Sequence, residues 1–339
     1  METTDIAAGS PTLEMVAALA GVSRSTVSRV INDSPKVTPQ AIASVEAAIE
    51  QLGYVPNRAA RTLASRRTQS VALVIPETTA KFFGDPYFAE VIQGAALRLA
   101  DTDYTLSLLI SAENGTDKVR RYLAGGNVDG AIVLSHHSDD LSYISLARSV
   151  PLIFGGRPMS AEGPAAHYVD VDNVHASRVV TERLIAAGRR RIATIAGPAD
   201  MSAGQDRLEG WRAAVTGAGL SDEKIERGDF SPDSGAAAAA RLLERGERFD
   251  GLFIASSLMA SGALGVLRQA GIRIPEDAGV VTFDNDYFAQ NANPPLTTIE
   301  QPTGALGRRL ATELLRLIAG EPVPRVTVMP TLVVERGSE

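Results

Sequence analysis

The chain has 339 residues, 45% of them hydrophobic, with 33 Lys/Arg against 40 Asp/Glu and a formal net charge of −7. Cysteine is absent, which excludes disulfides and thiolate chemistry and fits a reducing compartment. There is no apolar run of about 18 residues, and METTDIAAGSP has neither a basic start nor an apolar centre; no membrane span or signal peptide is expected, and the chain is expected to be cytoplasmic.

In chain order, residues 1–11 read as a disordered tail. Thr12 to Asn32 follows with two short helical patterns around Gly21. Leu13, Val16, Ala17 and Ala20 give the first an apolar face, and Thr12 can cap it, although Met15 stands where a capping box would place Glu or Gln. Ser23 can cap the second, whose Val27, Val30 and Ile31 recur at helical spacing. Arg24, Ser25, Ser28 and Arg29 are left on its outer face. An apolar back and an Arg/Ser front, set at an angle by a short turn, make a helix-turn-helix recognition element.

Charge distribution supports that reading. Residues 21–70 carry seven basic and three acidic residues, whereas residues 71–339 carry 26 and 34. A basic N-terminal end on an acidic body is the asymmetry of a DNA-binding module attached to something else. A third helix begins at Thr38-Pro39, lines Ile42, Val45, Ile49 and Leu52 along one face, and ends at Gly53. Three helices on one core complete an all-α domain at 12–56. Next, Asn57 opens the short basic segment RAARTLAS, too short for a stable isolated helix and suited to folding on binding; 57–69 reads as a hinge helix and linker.

From Val71 to Ile75 a continuous apolar run reads as a strand buried on both faces. Strand–helix alternation continues to Phe154, and a second series starts after Tyr168–Val171 and runs to strands near Thr327–Met329 and Leu332–Val334. The count is too large for one ordinary sheet, so two doubly wound α/β lobes with a cleft between them are expected. Ligands of such sheets bind beyond the carboxyl ends of the strands. Seven of the 17 aromatic residues fall in two such places: Phe82, Phe83, Tyr87 and Phe88 after the first strand, and Phe283, Tyr287 and Phe288 at the last strand of the second lobe. Arg157, Asp172, Asp284 and Ser256-Ser257 follow equivalent strands. Aromatic faces with hydrogen-bonding groups suit a polyhydroxylated ligand; packing of the aromatics and turn-capping by Asp284 is an equally good account of the same spacing.

Catalysis has little support. His136-His137-Ser138-Asp139-Asp140 reads as a polar loop at the cleft mouth rather than a metal site, since adjacent residues rarely converge on one ion. Phosphate-loop, G-x-S-x-G and zinc spacings are missing, so neither enzyme activity nor a cofactor or metal is expected. Trp211 lies at packing spacing.

The phrases AGVSRSTVSRVIND, VEAAIEQLGYVPNRAARTLAS, DPYFAEVIQG, RLEGW, FDND and PPLTTIEQP, in this order, resemble the lac-repressor (LacI/GalR) family of bacterial transcription regulators over nearly the whole chain. VDGAIVLSHHSDDL, RPM and RRRIATIAGPADM most resemble family members that respond to cellobiose or other β-glucosides. The resemblance implies that the second helix enters the major groove, with Arg24, Ser25 and Arg29 reading base edges and Thr12, Thr26, Ser28 and Asn32 contacting backbone or supporting them. It implies that Tyr54 and Asn57 fix the backbone near the hinge and that Leu63 is the leucine inserted in the minor groove.

For the body it implies a periplasmic-binding-protein-like sugar-binding and dimerisation domain at 70–339. Lobe 1 would comprise about 70–172 and 302–329, and lobe 2 about 173–301 and 330–339. Ligand positions carry over to Tyr87, Phe88, Arg207, Asp284 and Gln301, with Phe230 as an aromatic platform and Arg157 and Asp172 as additions. Two departures stand out: Met15 replaces a common Asp, and Ser256-Ser257 replaces a common Asn/Asp acceptor. With no leucine-heptad tail before Glu339, the expected state is a homodimer on a near-palindromic double-stranded operator, released by a small sugar. A corepressor of opposite sign, a transport-type binding protein and a sugar enzyme are the alternatives.

Overall fold

The computed structural model describes residues 11–31, 34–55, 67–111, 116–138, 142–159, 166–246 and 248–339. They form two compact units, divided between Thr68 and Gln69.

The first unit holds α1 (Leu13–Ala20), α2 (Arg24–Ile31) and α3 (Pro39–Leu52). Its start and stop signals are local. The Thr12 hydroxyl accepts from Met15 N–H, Ser23 from Thr26 N–H and Thr38 from Ala41 N–H. Gly21 and Gly53 end α1 and α3 in the left-handed region, at φ +66° and +58°, where a Cβ would be strained. Val16, Ala17, Val27, Val45, Ala48 and Tyr54 close the core. The rest of each apolar stripe, including Val30, Ile31, Ile49 and Leu52, is only partly buried.

The second unit contains two six-stranded sheets. β1 (Ser70–Ile75), β2 (Thr105–Ile110), β3 (Gly130–Leu134), β4 (Leu152–Gly155) and β5 (His167–Val171) lie in lobe 1. β6 (Ile192–Ala196), β7 (Ile225–Arg227), β8 (Gly251–Ile254), β9 (Gly279–Phe283) and β10 (Thr297–Glu300) lie in lobe 2. β11 (Val326–Met329) returns to the first sheet and β12 (Leu332–Val334) to the second, giving orders β11-β5-β4-β3-β1-β2 and β12-β10-β9-β8-β6-β7. All neighbours are parallel except β10 and β12. The chain therefore passes between the lobes after β5, after β10 and after β11.

Central β1 shows why an unbroken apolar run is needed. Val71, Leu73 and Ile75 pack on one face with Leu306, Leu310 and Leu314, while Ala72 and Val74 pack on the other with Val119 and Leu123. Edge strand β2 is only half covered. Helices Pro86–Leu99 and Thr303–Ala319 touch at glycines: a Cβ on Gly307 would stand 2.0 Å from the Val91 carbonyl oxygen. Trp211 is fully buried in the lobe 2 core. No helix among the described residues is long and apolar enough to cross a membrane.

Candidate functional site

On α2, Val27 is fully buried while Arg24, Ser25 and Arg29 are exposed and Thr26 and Ser28 half-buried. Arg24 Nε is 3.0 Å from Glu14 Oε1 on α1. Ser23 Oγ lies 2.8 Å from Ser25 Oγ and 2.9 Å from Thr26 Oγ1, knitting the first turn together. Two sequence-predicted residues have structural places in the domain. Thr12 spends its hydroxyl on the α1 cap, and Tyr54 puts its ring in the three-helix core. Asn32, Asn57 and Leu63 lie outside the described residues, as does the hinge segment.

In the second unit a cavity opens between the lobes, and the carboxyl ends of the strands supply its walls, as the parallel wiring of both sheets dictates. Tyr87 and Phe88 follow β1, Arg157 follows β4, Asp170 and Asn173 sit at the end of β5, and Phe230 follows β7. Ser256, Asp284 and Gln301 follow β8, β9 and β10.

Arg207, on the helix Ser202–Gly217, is the centre. It is 6% exposed. Its Nε donates to Asn173 Oδ1 at 3.0 Å and its Nη1 to the Ala255 carbonyl at 2.7 Å, and Nη1 lies 3.7 Å from Asp284 Oδ2. The guanidinium carbon stands 3.6 Å from the centre of the buried Phe283 ring. Burial lowers the Arg207 pKa, opposed first by Asp284. In turn burial raises the Asp284 carboxyl, with Arg207 pulling it down. Gln301 donates to Asp284 and so ties the β10 crossover to the same group.

Phe230 adopts φ +72°, unusual for a side chain of this size. Its ring fills the space over Gly197, where a Cβ would meet the ring at 2.4 Å. Arg157 crosses the cleft: its Nη2 donates to Asp206 of lobe 2 at 2.6 Å, while its backbone N–H donates to Asp170 Oδ2 at 2.8 Å.

One expected ligand residue needs correction. Asp172 does not line the cavity: it caps the helix Asn173–Ala186, accepting from His175 N–H at 2.9 Å. Asp170 takes the cleft position, because alternation along β5 buries Val169 and Val171 and turns Asp170 the other way. Ser256 lines the cavity but is a helix cap, its Oγ accepting from Met259 N–H at 3.2 Å. The aromatic count is also overread. Phe83 and Tyr287 are 79% and 70% exposed, and Phe283 is a floor beneath Arg207 rather than a wall.

Sequence reasoning missed Asp85, Asp170 and Asn173. Asp85 caps the helix Pro86–Leu99 through Tyr87 N–H, and burial raises its carboxyl to about 7, helped by Asp284. All three lie inside DPYF (85–88) and YVDVDN (168–173); the missing signal in the second was the strand end at Val171, which hands Asp172 to the next helix as its cap. Among the described residues no group of three or more His, Asp or Glu is arranged to hold a metal ion.

A helix-turn-helix with an Arg/Ser face, carried on a two-lobed binding cleft, defines an effector-responsive DNA-binding transcription regulator. Residues 12–57 match the bacterial regulatory proteins of the lacI family, and residues 181–339 match the periplasmic binding protein-like domain. The chain is 47% identical over 335 residues to the HTH-type transcriptional regulator CelR of Thermobifida fusca, covering 96% of this chain and 98% of that one. It is 34% identical to the HTH-type transcriptional repressor PurR of Proteus mirabilis, over 96% of each. Among solved structures, a transcriptional regulator CelR–cellobiose complex matches with a TM-score of 0.77 and 44% identity, over 97% of this chain and 100% of that one. The lac repressor dimer bound to operator and the anti-inducer ONPF matches with a TM-score of 0.85 and 27% identity, over 97% and 99%. This chain belongs to the lacI family of bacterial regulatory proteins.

Proposed function

We propose that the chain is a homodimeric repressor that leaves a near-palindromic operator when its cleft takes up a neutral β-glucoside, with cellobiose the first choice. The observation that carries this is the pairing of Arg207. Its charge is met by Asp284, with Asp170 close by, and its polar contacts by Asn173 and Ala255. A phosphorylated or carboxylated ligand would need a cation spare from such pairing, whereas a polyol needs mixed donors and acceptors beside aromatic faces. Tyr87, Phe88 and Phe230 provide those faces and Asp85, Asp170, Asp284 and Gln301 the polar groups. The 44% identity to the CelR–cellobiose complex supports the choice of sugar.

On this reading residues 12–56 read DNA through Arg24, Ser25 and Arg29, 57–69 form the hinge with Leu63 as the wedge, and 70–339 bind effector and pair the subunits. The cleft serves binding and not hydrolysis. Fluorescence anisotropy of the full chain on a labelled operator, selected from a random duplex pool, tests this. Cellobiose is expected to release the operator, with glucose, maltose and lactose far weaker. If no sugar changes operator affinity the reading fails, and tightening by cellobiose reverses its sign.

A further inference from the structure

His137, in the turn after β3, stands at the mouth of the cleft and touches both lobes. Its Nε2 lies 3.1 Å from Glu77 Oε1, in the turn after β1, and its Nδ1 lies 2.7 Å from Asp200 Oδ2, in the turn after β6. The next residue continues the seam: Ser138 N–H donates to the Asp200 carbonyl at 2.8 Å. A neutral imidazole offers one donor and one acceptor, while an ionised carboxylate only accepts. Both contacts are hydrogen bonds only when both ring nitrogens carry a proton.

The surroundings of Glu77 keep its carboxylate charged. Burial pushes the Glu77 carboxyl up, but the bonds from His137 and Lys81 outweigh it and hold it below its ordinary range. Lys81 Nζ, from the helix Thr79–Gly84, is 2.7 Å from Glu77 Oε1, and Ser135 Oγ donates to the same oxygen. From lobe 2, Asp200 faces the ring, while Asp229 and Asp233 line the same groove. Asp139 and Asp140 lie outside the described residues. Glu77 and Asp200 together push the imidazole up to about 9, the bond to Glu77 contributing most and burial opposing.

We propose that His137 is a positioning residue for the effector response: as an imidazolium it ties Glu77 of lobe 1 to Asp200 of lobe 2 and holds the cleft closed, so that closure takes up a proton. This rests on the reading that effector binds between the lobes. With the lobes apart, His137 keeps its bond to Glu77 of the same lobe and loses only Asp200, so it titrates below about 9 but still above the ordinary value of about 6.5. Below that open-form value the imidazolium is present in both forms and the bridge contributes fully. As pH rises from there towards 9 closing must recruit a proton, and above 9 the bridge is lost. Effector affinity is therefore greatest on the acid side and falls across that window.

The test measures cellobiose affinity by calorimetry from pH 6 to 9 for the full chain and for His137→Gln, which keeps a hydrogen-bonding side chain without the charge. The native chain is expected to weaken by about tenfold, corresponding to one unit of proton linkage, with the variant flat within about twofold. Parallel profiles overturn the proposal. A second arm follows the four histidine ring protons by NMR, with His137 assigned from the variant. Its midpoint is expected at least about one unit above 6.5, and lower in Asp200→Asn, which keeps an acceptor but removes the charge. A midpoint near 6.5, or one unmoved by Asp200→Asn, overturns the proposal. If cellobiose does not bind at any pH, the choice of sugar fails, and the NMR arm still decides the bridge.

Discussion

Arg207 was legible as a residue of the RLEGW phrase, but its surroundings were not. Asn173, Ala255 and the adjacent pair Phe283-Asp284 come to it from three distant stretches of chain, and only the folded sheets bring them together. Arg207→Ala leaves Asp284 facing a buried hole without its counter-charge, a change that is strongly destabilising locally. Effector affinity is expected to fall at least about a hundredfold, as for loss of a charged hydrogen-bonding anchor, while operator binding without effector persists. Calorimetry with cellobiose beside anisotropy on the operator checks both halves. Asp85 makes the complementary case. Its carboxyl is raised to about 7 in the folded chain, from an ordinary value near 4. The folded form thus holds the proton more tightly, and stability is lost as pH rises between these two values and then levels off. Asp85→Asn keeps a capping side chain for Tyr87 N–H and removes the charge. The variant is expected to gain on the order of 1 kcal/mol at pH 8, with the gain shrinking towards pH 4, in thermal unfolding followed by circular dichroism.

Among elements, those with local signals were the ones read from sequence. Thr12, Ser23 and Thr38 cap the helices whose starts they marked, and Gly21 and Gly53 end two of them in the left-handed region. β1 was legible because both its faces are buried, so that no polar residue interrupts it. The helix Thr79–Gly84 was not, for it is six residues long and its apolar pair Phe82-Phe83 splits between core and solvent. β5 was found, but its end was not: the strand stops at Val171, so Asp170 keeps the cleft-facing position while Asp172, two residues on and in the same phase, is spent capping the next helix. Segment 57–64 carries the next prediction. A basic, Ala-rich segment of this length is too short for a stable isolated helix, and the proposed hinge would form it against a partner. If Leu63 unstacks a base step there, Leu63→Ala should weaken operator binding by about tenfold or more, through a loss of a few kcal/mol of wedge and bending contacts. Sugar affinity is expected to stay within about twofold. Loss of sugar binding in the variant would refute this division of labour.

At the scale of the whole molecule, each unit has its own core. Val16, Val27 and Val45 share no cluster with the lobes, and the cavity is lined only by residues beyond Thr68. On the proposed reading, effector binding needs nothing from the helix-turn-helix, whereas operator binding needs two helix-turn-helix copies held at a half-site spacing by a pair of bodies. A fragment of residues 69–339 is therefore expected to fold cooperatively and to bind cellobiose within about twofold of the full chain, because no wall of the cavity has been removed. The same fragment is expected to have no measurable operator affinity. The charge balance argues in the same direction, since the removed end holds the basic patch that meets the phosphates and the remaining body is net acidic. In the full chain, operator binding should weaken steeply as salt is raised while sugar binding to the paired, enclosed Arg207 site stays nearly constant. Parallel calorimetry and anisotropy at two salt concentrations, on the fragment and the full chain, separate the two functions; a fragment that folds yet loses the sugar would show that the cleft depends on the DNA-binding unit.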